Sequence, residues 1–158
     1  MAEFSQRVRD VMETDCAHTL ENLVANPSDQ EVRELIATVE DEAGVSANER
    51  QRAVYMLGRM GREEAAPAIV KALPMLDEGG RVAAADALGR LATPEAQSAV
   101  MELSHDSAPQ VRKFAARALA RIGTNAAVGH LRGMVDGDAE PFVRASAGKV
   151  LSRMESRR

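Results

Sequence analysis

Few side chains in this sequence could do chemistry. Three histidines (His18, His105 and His130), one cysteine (Cys16) and two series of arginines stand out from a background of alanine, leucine and carboxylates. A metal-binding histidine needs a second ligand placed by the backbone, typically three or four residues away on one helix face. No second histidine stands at that spacing from any of the three, and only the adjacent His105-Asp106 sets an acid directly beside an imidazole. No metal centre is expected. Cys16 falls on the apolar stripe of an N-terminal helix, where a thiol is normally a small buried hydrophobe rather than a nucleophile. Neither Gly-x-Gly-x-x-Gly after a strand nor Gly-x-x-x-x-Gly-Lys-Ser/Thr occurs, so no phosphate loop is expected either. No catalytic residue and no cofactor site is assigned.

Composition narrows the class further. With 158 residues, 45% of them hydrophobic and 28% charged, the chain suits one ordinary globular domain or one short array. Aromatic residues make up 3%, without any Trp, which argues against base-stacking platforms and aromatic ligand cages. A formal net charge of −4 speaks against sequence-independent duplex binding, so nucleic acid is not an expected partner. One cysteine allows no internal disulfide and no cysteine-built zinc site, and a reducing compartment is the simplest reading. No apolar run approaches the roughly 20 residues of a membrane span. The opening Met1-Ala-Glu-Phe-Ser-Gln-Arg7 has no apolar stretch behind it, so the expectation is a cytoplasmic protein.

The elements that must carry these residues repeat. Four columns run in step: Arg50, Arg81, Arg112 and Arg144; Ala53, Ala84, Ala115 and Ala147; Leu57, Leu88, Leu119 and Leu151; Arg59, Arg90, Arg121 and Arg153, each at spacings of 31, 31 and 32. The extra residue falls near Gly137, which brings Asp138 and Pro141 opposite Asp106 and Pro109. A second set lies between the first: Ala65, Ala96 and Ala127; Ile69, Val100 and Leu131; Ala72, Leu103 and Met134. Apolar residues recur three or four apart, so each unit reads as two helices of roughly 11 to 15 residues. Gly61, Ala92 and Gly123 sit where a first helix stops, Thr93-Pro94 reads as an N-cap with proline at the first position, and Pro109 and Pro141 suit first turns.

The first 48 residues diverge. Phe4, Val8, Val11, Met12, Cys16, Leu20, Leu23 and Val24 share a helical stripe and predict one or two helices over 3–24. Ser28-Asp-Gln-Glu31 and Ser46-Ala-Asn-Glu49 are capping-box patterns opening later helices. The organisation expected is therefore a single all-α domain over 1–158, a stack of nine or ten helices. Residues 1–48 form a divergent cap, and 49–154 hold repeats starting near 49, 80, 111 and 143.

In this stack alanines sit where successive helices cross and leucines fill the space between layers. The first arginine column has a carboxylate six residues upstream in two repeats, Asp106 before Arg112 and Asp138 before Arg144, while Gly44 and Met75 occupy that place in the others. Guanidinium and carboxylate can pair bidentately within or between layers; a phosphate-binding arginine row is the competing use. The second arginine column falls in the last turn of its helix, where positive charge complements the dipole by about 0.3–1 kcal/mol.

The pattern proline or acid, Val-Arg, small residues, Ala-Leu-Gly/Ala, Arg, apolar, Gly resembles the short HEAT-like repeats first described in phycobilin lyase subunits. Pro109-Gln-Val-Arg-Lys-Phe-Ala-Ala-Arg-Ala-Leu-Ala-Arg-Ile-Gly123 carries nearly all of it, and the likeness covers 49–154. Gly79-Gly80 depart from the usual opening, and Ala120 stands where Gly is usual. The resemblance implies a right-handed α-solenoid whose second helices line a concave, protein-binding face. Its exposed positions would be Glu64, Pro67, Ala68 and Lys71; Glu95, Ser98, Ala99 and Glu102; and Ala126, Gly129, His130 and Gly133, with Met75 and Met101 semi-exposed. Iron-dependent hydroxylases built on similar repeats use His-Glu dipeptides, and this sequence contains none. The function expected is a noncatalytic scaffold or adaptor for a protein partner. The alternative is an accessory subunit of a chromophore lyase or another modifying complex.

Overall fold

The computed structural model describes residues 5–14 and 17–157, and no strand occurs among them. Ten α-helices follow in order: α1 (Gln6–Glu13), α2 (Ala17–Ala25), α3 (Asp29–Glu40), α4 (Ala47–Met60), α5 (Ala66–Ala72), α6 (Glu78–Leu91), α7 (Pro94–Leu103), α8 (Pro109–Ile122), α9 (Asn125–Gly137) and α10 (Pro141–Glu155). Phe4 and Cys16 lie outside the described residues. The N-terminal stretch forms two helices, α1 and α2, joined around Thr14.

Local signals set the boundaries. Ser28 and Ser46 each accept from the backbone N–H three residues on, while Glu31 and Glu49 reach back to close both capping boxes. Thr93 and Thr124 cap α7 and α9 in the same way, satisfying donors that have no partner inside the helix. Asp77 opens α6 by accepting from Gly80 N at 2.8 Å, and so supplies the start that the Gly79-Gly80 pair could not. At the other ends Gly61 (φ +67°), Ala92 (φ +52°) and Gly123 (φ +72°) adopt the left-handed conformation that stops a helix.

Two rows of helices stack. α4, α6, α8 and α10 pack one on the next, and α3, α5, α7 and α9 form the second row beside them. The first-row helices begin at residues 47, 78, 109 and 141, which reproduces the column spacing. The additional residue of the last interval falls in the stretch where α9, 13 residues long, runs on to Gly137, whereas α7, with 10, stops at Leu103. Helix lengths depart from expectation in α5 and α7, at 7 and 10 residues. The α5 region is broken into flanking 3-10 turns, Glu63–Ala65 and Leu73–Met75. Pro74 has no N–H to donate and its ring crowds the preceding turn, so an α-helix cannot continue through it.

A continuous apolar core runs through the layers. Ala53, Ala84, Ala115 and Ala147 are 0% exposed, as are Leu57, Leu88 and Leu119. Ala65, Ala96, Ala127, Ile69, Val100 and Leu131 are equally sealed. Leu151 is only partly buried, because no described layer covers α10. The tightest crossing is made by glycine. A Cβ on Gly58 would stand 2.5 Å from the Ala87 Cα, and one on Gly89 would stand 2.6 Å from the Ala118 Cβ. Adjacent first-row helices thus touch backbone to backbone, which fixes the register of each layer on the next.

Candidate functional site: an inter-layer groove beside α9

Two arginines of the first column, Arg81 and Arg112, clamp one layer to the next. Arg112 extends from the first turn of α8 and donates to both carboxylate oxygens of Asp138, from Nε at 2.8 Å and from Nη2 at 3.0 Å. Its Nη1 donates to the Asp106 carbonyl at 2.9 Å, closing the loop of its own layer. Arg81 repeats the arrangement one layer earlier, with Asp106 at 2.7 and 3.1 Å and the Leu76 carbonyl at 3.0 Å. Arg144 keeps the carbonyl bond, to Asp138 at 2.5 Å, but meets no carboxylate among the described residues. Arg50 donates to the Asp41 carbonyl, and with Met75 in the acid's place its buried Nε has no acceptor.

These pairs are substantially desolvated, with Arg112 13% and Asp138 5% exposed at the side chain. The Arg112 guanidinium holds the Asp138 carboxyl below the ordinary range, assisted by the Glu140 amide and opposed by burial. For Asp106, burial pushes upward, yet the Arg81 guanidinium and the Ala108 amide outweigh it and the net displacement is downward. Arg81 and Arg112 are thus both engaged by a carboxylate of the next layer and a carbonyl of their own. In the second column Arg90 and Arg121 converge on Asp86 at 2.9 and 3.1 Å, and Arg59 donates to the Tyr55 hydroxyl at 2.9 Å.

Asp106, Arg112 and Asp138 form the floor of a groove of about 670 Å³ between the α7–α8 connection and α9. One wall is Gly129, His130, Gly133 and Gly137 of α9; the other is Ser104, His105 and Ser107. Spaced four apart, the three glycines leave one face of α9 bare, and a Cβ at any of them would meet nothing within 4 Å. Packing therefore does not account for them. Glycine in a helix interior costs about 0.8–1.0 kcal/mol relative to alanine, so Gly129 and Gly133 weaken α9, while Gly137 is its last residue. At the groove mouth the Nε2 atoms of His105 and His130 stand 3.3 Å apart, their rings edge-on with centroids separated by 5.4 Å.

The positions assigned from sequence divide in three. Gly129, His130 and Gly133 meet in the groove. Glu64, Pro67, Lys71, Glu95, Ser98, Glu102 and Ala126 are exposed but lie outside it. Ala68 and Ala99, expected to be exposed, are instead buried at 5% and 4%, because they turn toward the neighbouring helices. Met75 and Met101 are partly buried. Sequence reasoning missed the His105–His130 pair, since it sought partners on one helix and the array joins them across a layer. It also missed Ser104, Ser107 and the inward role of Asp106. A smaller cavity of about 340 Å³ opens between α1, α2 and α4, lined in part by Val11, Leu20, Arg52 and Tyr55. Among the described residues no group of three His, Cys, Asp or Glu side chains could enclose a metal ion, and no helix is long and apolar enough to cross a membrane.

Helix pairs stacked in register, two successive layers of them clamped by Arg81 and Arg112, define an α-solenoid of repeat units. The comparisons specify which. Residues 75–152 match the family model described as HEAT repeats. The complex of CpcE and CpcF of phycocyanin lyase from Nostoc sp. PCC7120 is similar at a TM-score of 0.75 and 19% identity, over 90% of this chain and 95% of that one. An engineered protein is similar at a TM-score of 0.58 and 20% identity, over 96% of this chain and 81% of its own. No curated protein matches the sequence. Residues 75–152 are thus similar to HEAT repeats, within a fold like that of the phycocyanin lyase complex.

Proposed function

We propose that this protein is a noncatalytic interaction module that holds a segment of a partner protein along its second-helix face, with the groove beside α9 as the seat. One observation carries the reading: Gly129 and Gly133 weaken α9 without serving its packing, and with Gly137 at its end they leave a bare strip facing the groove. A strip without side chains lets an incoming helix or strand approach the backbone closely. The exposed row Glu64, Pro67, Lys71, Glu95, Ser98, Glu102 and Ala126 extends the same surface toward the N-terminal layers. To test this, partners are captured on wild-type protein and on Gly129→Leu/Gly133→Leu, then compared by mass spectrometry. The double variant is expected to lose at least one partner tenfold or more while its circular dichroism is unchanged. Equal recovery of every partner would place the binding surface elsewhere.

A second reading, an accessory subunit of a chromophore lyase or other modifying complex, draws on the likeness to the phycocyanin lyase subunits across nearly the whole chain. It predicts that a bilin mixed with the purified protein changes its absorbance spectrum. An unchanged spectrum, with and without a chromophore-bearing acceptor protein, would remove it.

A further inference from the structure

From the cross-layer juxtaposition of His105 and His130 we infer that the groove holds one borderline divalent cation, of the Zn²⁺, Ni²⁺ or Cu²⁺ kind, between the two Nε2 atoms. Two imidazole nitrogens bound at about 2.0–2.1 Å to a common tetrahedral ion stand about 3.3–3.4 Å apart. The structure places these two at 3.3 Å. The backbone presets that spacing. His105 sits in the turn after α7, where the buried Ser104 hydroxyl donates to the Met101 carbonyl at 2.6 Å. His130 lies on α9 between two buried anchors, Val128 and Leu131. No loop closure is needed to bring the ligands together, so little ordering opposes binding.

The donor set selects the ion. Of the groove's carboxylates, Asp138 is bonded by Arg112 and Asp106 by Arg81, so the imidazoles are its available ligands. A purely nitrogen pair suits Zn²⁺, Ni²⁺ and Cu²⁺ and gives Mg²⁺ or Ca²⁺ no oxygen cage. Two protein ligands leave the remaining positions to water or to a donor on a bound molecule, for which a groove of about 670 Å³ has room. In the hydrogen-bonded pair one ring carries its hydrogen on Nε2; on binding that hydrogen moves to Nδ1 of the same ring, so both neutral imidazoles offer Nε2 and no proton is lost. The inference does not depend on whether a protein segment also occupies the groove.

The test uses the purified chain alone, titrated calorimetrically with Zn²⁺ and Ni²⁺ and followed by the imidazole ring-proton resonances. One ion per chain is expected, moving the His105 and His130 resonances together. His105→Ala and His130→Ala should each weaken binding at least tenfold. His18→Ala should bind as wild type, because that exposed ring lies on α2, away from the groove, with a hydrogen bond to Asn22 of the same helix. Mg²⁺ and Ca²⁺ should give no heat. Both variants change side chains at the groove rim, and thermal melts without metal check that they fold. Binding unaltered by either alanine, or absence of any shift of the two resonances in excess Zn²⁺, would overturn the assignment and leave only a hydrogen-bonded imidazole pair.

Discussion

The same substitution, glycine to alanine within a helix, should stabilise this protein at one place and destabilise it at another. At Gly133 a Cβ meets nothing within 4 Å, so only the helix-propensity gain of about 0.8–1.0 kcal/mol remains. At Gly89 a Cβ would lie 2.6 Å from the Ala118 Cβ and 2.7 Å from its Cα. Backbone cannot yield as a flexible side chain would, so α6 and α8 must separate along their whole contact. Overpacking of that kind costs about 1–3 kcal/mol, and the separation also loosens contacts around Leu88 and Leu119, so the upper half of the range applies. After subtracting the propensity gain, Gly89→Ala should lose about 1–2 kcal/mol. Gly58→Ala, with Ala87 at 2.5 Å, should behave alike. Urea denaturation of the three variants measures the signs directly, and an unchanged slope would show that only stability has moved. If Gly89→Ala matched Gly133→Ala in sign, the close crossing of first-row helices would be wrong and the layer register with it.

Other consequences are equally direct. Arg112→Ala should cost about 3 kcal/mol, since it strands a carboxylate only 5% exposed, whereas Arg144→Ala, which loses carbonyl bonds alone, should cost about 1 kcal/mol or less; chemical denaturation compares them. Ala92→Gly should raise stability by a few tenths to about 1 kcal/mol, because relief of a left-handed alanine at φ +52° exceeds the added freedom of the unfolded chain; a fall in melting temperature would contradict it. Asp106 and Asp138 both sit below their unfolded values, so their contribution is present above about pH 4 and disappears as pH falls through the folded values. The urea midpoint of Asp106→Asn/Asp138→Asn should therefore start lower at neutral pH and decline less steeply below pH 4 than that of wild type. Parallel curves would show that these two groups are not the ones responsible.

The architecture was legible because it is written many times over. Ala53, Ala84 and Ala115 hold the same place in successive layers, and a column of four is a signal that no single residue can give. Caps at Ser28, Ser46 and Thr93 were equally readable, being local chemistry between residues three apart. The site was harder. Arg112 and Asp138 are separated by 26 residues, and sequence spacing alone left open whether an acid serves its own layer's arginine or the preceding one. In the structure it serves the preceding one, while its carbonyl serves its own. His105 and His130 were set aside because ligand spacing was sought on one helix, where the array's geometry has no place. Gly58 and Gly89 read as part of a family pattern, and only distances to Ala87 and Ala118 reveal that they set how closely the layers meet.

The inter-layer clamp can be measured on its own by a double-mutant cycle between Arg112 and Asp138. Stabilities of Arg112→Ala, Asp138→Ala and the double variant should yield a coupling of about 1.5–3 kcal/mol, as bidentate charge-assisted bonds between desolvated groups require. A coupling within about 0.5 kcal/mol of zero, the behaviour of independent sites, would mean that α8 and the loop before α10 do not meet as described and that the stacked repeat is not what holds the groove in place.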